Sequence, residues 1–451
     1  MSQFFDNINW EEVGEEAVAD LQSLLQIDTS NPPGHEKKAA IFVGEKLEVD
    51  HLDFELLESA PDRMNLITRI EGEDKSLAPL LLSAHLDVVP ADPKDWRYPP
   101  FAGERQEGFI WGRGAIDMKN MVIMSMWVMK LLKRINKPLQ RTVIFAAVAD
   151  EETGCHHGSH WLVDHHADKI KAGYMISEVG GFSLDIKGQR FYPIQVAEKG
   201  QVSIKMRAYG QQGHGSMPKK NSANALLSKA ISQLEKSRLP KHITNIQSDF
   251  IEGVSEHLSF PINKVFPFLL SPLSDKVLDL LPDNQSAPLN ANLRNTATVT
   301  SMKSGSDKEK NVIPSEATAI IDGRFLPEQQ AENLLREIRQ VIGDEIELEM
   351  GEVLPAVWID NYQEDELYQL MVKTLKRRDP KGHPIPSMIP GYTDAKAYHR
   401  LGMKCYGFSP VQLPSEIAFA ELFHGVDERI SVDGFKWGLR TLAELVGDFC
   451  G

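Results

Sequence analysis

Cysteine is scarce and scattered. Cys155, Cys405 and Cys450 are the only three in 451 residues, an odd number at spacings that build neither a disulfide framework nor a zinc ribbon. A reducing compartment suits such a chain. Uninterrupted apolar runs of membrane-spanning length are also lacking. The opening Met1-Ser2-Gln3-Phe4-Phe5-Asp6 has no basic region followed by an apolar core. The expectation is a cytoplasmic, unanchored protein. Basic excess is missing too: the formal net charge of −15 excludes nucleic acid and anionic membrane as general partners, because both draw Lys and Arg. No internal repeat or low-complexity segment is evident.

What is present is length and apolar content. At 451 residues and 42% apolar the chain exceeds one ordinary core, so two or three domains are expected. Thr142 to Ala149 is a continuous apolar, β-leaning run that ends abruptly in Asp150-Glu151-Glu152. Continuous rather than alternating hydrophobics mark a strand buried on both faces of a parallel α/β sheet. Ligands of such sheets bind beyond the carboxyl ends of the strands. Adjacent carboxylates repel, so a crevice holding them needs positive charge, which a divalent metal supplies; the plain alternative is a solvated acidic loop.

Further strands end the same way. Leu80 to Ala84 runs into His85-Leu86-Asp87, where alternation puts His85 and Asp87 on one side and lets the carboxylate accept the second imidazole N–H. Tyr174 to Ser177 runs into Glu178, and Gly112 to Lys119 brings Asp117 to a helix start, where a carboxylate also serves as an N-cap. The methionines of the following helix, Met118 to Met129, read as core filler rather than a soft-metal site. The histidines between Cys155 and His166 read as a surface helix with imidazoles on several faces, not as ligands.

From Val202 the pattern changes to half-exposed alternation. A boundary at 198/199 then separates a catalytic unit, 1–198 with 353–451, from a second unit, 199–352. Strands near 297–302, 317–325 and 346–352 and helices near 223–234 and 327–341 give that second unit a small α+β sandwich. It carries an insertion at about 241–295, rich in Phe, Leu and Pro; lid packing explains its apolar content better than lipid contact.

As an ordered set, Ser83-Ala84-His85-Leu86-Asp87, Gly112-Arg113-Gly114-Ala115-Ile116-Asp117-Met118-Lys119 and Asp150-Glu151-Glu152-Thr153-Gly154 resemble the co-catalytic di-zinc exopeptidases and deacylases. That family includes aminoacylase, acetylornithine deacetylase, succinyl-diaminopimelate desuccinylase, glutamate carboxypeptidase and the carboxypeptidase S type. The resemblance spans nearly the whole chain and implies an α/β catalytic domain with a mostly parallel central sheet plus a smaller α+β lid or dimerisation domain. It implies two Zn ions, with Co or Mn possible in their place. His85 and His424 would bind one each, Asp117 would bridge them, and Glu152 and Glu178 would complete the two sides. Two metals about 3.5–4 Å apart share a bridging water and polarise the amide carbonyl, with a nearby carboxylate as base. The resemblance makes Glu151 that base and Asp87 the partner of His85, with a cis peptide before Met118.

In the second unit Gly213-His214-Gly215 resembles the family's histidine loop, which implies an oxyanion donor, His214, given to a partner subunit of a homodimer. Asn311 and Arg324 match positions that hold substrate; the planar fork of Arg324 suits a free carboxylate. Gly391 and Thr393 fall in the family's glycine-rich substrate loop. The implied reaction is hydrolysis of the amide beside an amino acid with a free carboxylate, as an N-acyl-amino-acid deacylase or carboxypeptidase; a dipeptidase is the enzymatic alternative. From another class, the chain would be a metal-dependent binding protein without the chemistry.

Overall fold

The computed structural model describes residues 3–278, 283–306, 310–415, 417 and 422–451. Part of the 241–295 insertion, residues 279–282, therefore lies outside the described residues.

The larger sheet has ten strands, and its centre runs in the order Val143–Val148, Leu80–His85, Tyr174–Ser177, Lys404–Gly407. These four are mutually parallel. Antiparallel pairs flank them, Phe54–Ala60 with Arg63–Ile70 on one side and Gln189–Glu198 with Val357–Trp358 on the other. Every residue of Val143–Val148 and of Leu80–His85 is buried. Apolar runs without alternation fit here because helices cover both faces.

On one face, helices Lys119–Ile135, Trp10–Leu25 and Val432–Cys450 pack against one another. Its methionines, Met121, Met124, Met126 and Met129, are fully buried and contribute packing only. The first helix is capped by Asn9, whose side chain accepts the Glu12 N–H, and buries Val13, Ala17, Val18, Leu21, Leu24 and Leu25 along one stripe. Truncating any one of those leucines to Ala would cost about 2–5 kcal/mol. The opposite face is covered by Leu162, Val163, Ala397 and Tyr398.

The chain leaves this sheet at Lys199: Gln189–Glu198 belongs to the large sheet and Gly200–Tyr209 to a four-stranded antiparallel one. That second sheet has the order Thr296–Ser304, Glu316–Phe325, Gly200–Tyr209, Glu347–Leu354. Helices Ala223–Lys236 and Ala331–Ile342 cover one face and enclose a separate core around Val202, Ile204, Ile321, Leu334 and Ile338.

The insertion is helical and contacts both units. Helix Asn245–Ser255 lies on strand His383–Ile389 of the large sheet, where Val254 and Leu258 pack with Phe191 and Ile385. Its ends reach the lid: Asn295 Nδ2 donates to Glu337 at 3.0 Å. The insertion thus straddles both units.

Candidate active site

Three neighbouring strands deliver their ends to one crevice. His85 is the last residue of its strand, Glu151 and Glu152 follow Val143–Val148, and Glu178 follows Tyr174–Ser177. Asp117 arrives from the other side, just before helix Lys119–Ile135, with a cis peptide to Met118. Asp117 does not cap that helix, whose N-cap Met118 makes no side-chain hydrogen bond. Its carboxylate is free to face two imidazoles: Oδ1 lies 3.1 Å from His85 Nε2, and Oδ2 lies 3.2 Å from His424 Nε2. Glu152 Oε2 is 3.1 Å from His424 Nε2, and Glu178 Oε2 is 3.8 Å from His85 Nε2. Glu151 Oε2 stands 4.0 Å from His85 Nε2. Two half-sites, His85 with Glu178 and His424 with Glu152, therefore share Asp117.

Electrostatically this is a concentration of buried negative charge. Burial, then Glu178, pushes Glu151 well above the usual carboxylate range, and burial pushes Glu178 up to about 8. Burial opposes the charging of His85, yet Asp117, Asp87 and Glu178 hold its pKa well above normal; His424 is raised to about 10 by hydrogen bonds to Asp117 and Glu152. Burial likewise works against Asp117, but the two imidazoles bring its carboxyl below its ordinary value.

The donor set fits divalent cations. Ligand atoms of His85, Asp117 and Glu152, and of His85, Glu151 and Glu178, lie within 4.8 Å of one another. Glu152 Oε1 is buried with no hydrogen-bond partner among the described residues, a cost that a cation would remove. Imidazole and carboxylate oxygen together suit zinc, and also cobalt and manganese.

Asp87 departs from the expected role. The His85 Nδ1 hydrogen bond goes to the main-chain carbonyl of Asp87 at 2.9 Å, with the carboxylate at 3.6 Å. The side chain instead accepts the Glu151 N–H and the Glu152 N–H, each at 3.1 Å. Two adjacent amides of a tight turn point the same way and make a better anion cradle than one ring nitrogen.

A cavity of about 850 Å³ opens from these carboxylates to the second unit and is lined by Arg324, Gln201, Ser203, Glu352 and Gly391 among others. Arg324 is held by Asp322, Nε to Oδ1 at 3.0 Å and Nη2 to Oδ2 at 3.1 Å. Its Nη1 is buried without a hydrogen-bond partner among the described residues. Thr393, expected to touch substrate, does not reach the cavity: it is buried and its hydroxyl donates to Glu198 at 2.7 Å. Asn311 and His214 also stand apart from it. His214 is exposed in a two-stranded ribbon, Gly213–His214 against Val312–Ile313, and Asn311, just before its second strand, brings Nδ2 to 3.4 Å from His214 Nε2.

Residues that sequence reasoning passed over also line the cavity. His156 and His160 form part of its wall, their rings stacked with centroids 6.3 Å apart, contrary to the reading of that segment as a plain surface helix. Arg400 Nη1 lies 3.3 Å from His160 Nδ1; because a guanidinium can only donate, that nitrogen accepts and the ring proton sits on Nε2. Glu428 lies four positions after His424. Its carboxylate accepts the N–H groups of Gly114, Ile116 and Asp117 at 2.7–3.1 Å and pairs with Arg113 at 2.7 Å. The segment bearing His424 thereby also clamps the segment bearing Asp117, a link no local sequence signal could announce.

Residues 81–448 match the family model described as peptidase family M20/M25/M40. The chain belongs to peptidase family M20/M25/M40. Among M20 relatives, the chain is 32% identical over 389 residues to the N-fatty-acyl-amino acid synthase/hydrolase PM20D1 of Xenopus tropicalis, covering 84% of this chain and 74% of that protein. It is 29% identical over 394 residues to the probable carboxypeptidase S-like 2 of Dictyostelium discoideum, covering 82% and 72%. The fold is shared with the M20 family metallo-carboxypeptidase Sso-CP2 from Sulfolobus solfataricus, with a TM-score of 0.69 at 20% identity over 96% of this chain and 98% of that one.

Proposed function

We propose that this M20 enzyme hydrolyses the amide bond of N-acyl amino acids that keep a free α-carboxylate, with zinc as its metal. The observation that carries the reading is the Asp117 carboxylate, one oxygen on His85 and the other on His424, with Glu151 Oε2 4.0 Å from His85 Nε2 beside it. His85 and Glu178 would hold one ion, His424 and Glu152 the other, with Asp117 between them. When bound, the metal pair lowers the pKa of a water and polarises the scissile carbonyl.

The chain's own groups supply the rest. Glu151, buried beside the proposed ligands, would take the proton of the attacking water and return it to the departing nitrogen. The orphaned Nη1 of Arg324 would receive the substrate carboxylate, and the backbone at Gly391 would border it. Val179, Phe182, Leu354, Ile389 and Phe423, all on the cavity wall, favour an apolar acyl group, in keeping with the name of the Xenopus relative. His214 is exposed and does not line its own chain's cavity, which supports a homodimer in which it reaches the partner subunit's site as an oxyanion donor.

The test is turnover of a panel of N-acyl amino acids and dipeptides by zinc-loaded protein, with Glu151→Gln alongside. Expected is cleavage of long-chain N-acyl amino acids by the wild type and a loss of roughly 10²–10⁴-fold in the variant at unchanged metal content. Equal silence of both proteins, with ligand still bound, would instead favour the non-catalytic binding protein.

A further inference from the structure

The turn that carries Glu151 and Glu152 is held from outside. Asp150 adopts a left-handed conformation, φ 69°, which a non-glycine residue keeps only where its surroundings enforce it. Locally, the Thr153 hydroxyl donates to Asp150 Oδ1 at 2.6 Å and the His157 N–H to Asp150 Oδ2 at 3.0 Å, with Gly154 N–H on Glu151 O at 3.2 Å and Cys155 N–H on Asp150 O at 2.6 Å. Further enforcement comes from three buried polar residues, Asn31, Glu36 and Arg63.

Asn31 is 2% exposed and its Nδ2 faces three acceptors: Asp87 Oδ2 at 2.8 Å, Thr153 Oγ1 at 2.9 Å and Asp150 Oδ1 at 3.0 Å. One amide thus ties together the carboxylate that grips the Glu151 and Glu152 amides and the residue that starts their turn. Arg63 supplies the cation. Its Nη2 donates to Asp150 Oδ1 at 2.6 Å and to Glu36 Oε1 at 2.8 Å, Nε donates to Glu36 Oε2 at 2.8 Å, and Nη1 donates to the Pro33 carbonyl at 3.1 Å. Gly34 makes room for this: at φ 82°, a Cβ there would lie 2.4 Å from the guanidinium carbon. Glu36 and Asp150 are both buried, and without Arg63 they would lose the cation that pairs with both.

We infer that Asn31 and Arg63 are positioning residues for hydrolysis: acting through Asp87 and Asp150, they fix where the Glu151 carboxylate stands relative to the scissile bond. Neither touches the cavity, so their effect belongs in the chemical step rather than in substrate affinity. The inference rests on Glu151 being the base. A displacement of roughly 1 Å in such a group costs on the order of 10²-fold in rate.

The experiment compares wild type, Asn31→Ala, Arg63→Lys, Arg63→Ala and Glu151→Gln for kcat, KM, zinc content and melting temperature on one N-acyl amino acid. Asn31→Ala should lose about 10²-fold in kcat with KM and zinc content unchanged. Arg63→Lys, which keeps the charge but not the fork, should lose kcat with KM unchanged. Arg63→Ala should recover kcat on adding millimolar guanidinium but not sodium at equal ionic strength. Should Arg63→Ala fail to fold, the smaller Asn31→Ala deletion still decides. The inference is overturned if Asn31→Ala keeps kcat within about twofold of wild type at full zinc content, or if its rate falls only in proportion to lost zinc or lost folded protein. A Glu151→Gln protein as active as wild type would remove the base assignment and this inference with it; a silent Glu151→Gln beside a fully active Asn31→Ala overturns the positioning claim alone.

Discussion

Arg324 offers a perturbation whose size follows from its contacts. Two of its nitrogens are committed to Asp322, and Nη1 alone is buried and unpaired. A substrate carboxylate arriving there forms one charge-assisted hydrogen bond, worth about 1.5–3 kcal/mol, or roughly 10- to 150-fold in kcat/KM. Arg324→Ala should therefore lower kcat/KM for an N-acyl amino acid by that factor while leaving the matching N-acyl amino amide, which has no carboxylate, almost untouched. Arg324→Lys keeps the charge but cannot hold Asp322 and reach substrate through one planar group, so it should recover only part of the loss. The assay is a pair of kcat/KM values, acid and amide, for each of the three proteins. Wild type should prefer the acid, and Arg324→Ala should not. If acid and amide fall by the same factor in Arg324→Ala, Arg324 props up the lid and does not read the carboxylate.

Two other outcomes concern parts away from the metals. Lys199 is fully buried at the crossover between the sheets, donates to the Arg294 carbonyl at 2.6 Å, and is lowered by burial, then by Arg324, to about 7. The unfolded chain then binds more protons between about pH 7 and 10.5, so this group makes stability rise with pH across that window, and below it the cost, up to about 5 kcal/mol, is constant. Lys199→Met should gain about 2–3 kcal/mol at pH 7 after the lost hydrogen bond is subtracted, and the gain should shrink at pH 9, as read by denaturant melts of both proteins at pH 7 and 9; a gain no larger at pH 7 than at pH 9 contradicts the sign. His214→Ala should lose about 10²–10³-fold in kcat, and mixing it with Glu151→Gln should restore part of the activity through hybrid dimers; no restoration in verified hybrids removes the cross-subunit role.

The fold was readable where periodicity and burial coincide. The runs at Leu80–His85 and Val143–Val148 lack alternation because both faces are covered, and the switch to alternation at Val202 marks a sheet with one open face. The site was readable because strand ends and short motifs are local. What stayed hidden depends on contacts distant in sequence. Nothing near Asp87 announces that its carboxylate turns toward the amides of Glu151 and Glu152, 64 and 65 positions on. Thr393 sits in the expected loop yet faces Glu198, and the choice is made by a buried neighbour from another strand. His156 and His160 looked like surface histidines because helical spacing says nothing of a cavity wall assembled from both sheets. The insertion's apolar residues signalled burial without saying against what.

The central claim is that Asp117 stands between two divalent ions, and anomalous diffraction from zinc-loaded crystals, with stoichiometry measured on the same protein, tests it most directly. The account requires two zinc peaks per chain, one against His85 and Glu178 and one against His424 and Glu152, with Asp117 on both and Glu151 on neither, and the His85 peak gone in His85→Ala. A single peak, or zinc held by Glu151 while Asp117 stands clear of it, would contradict the account.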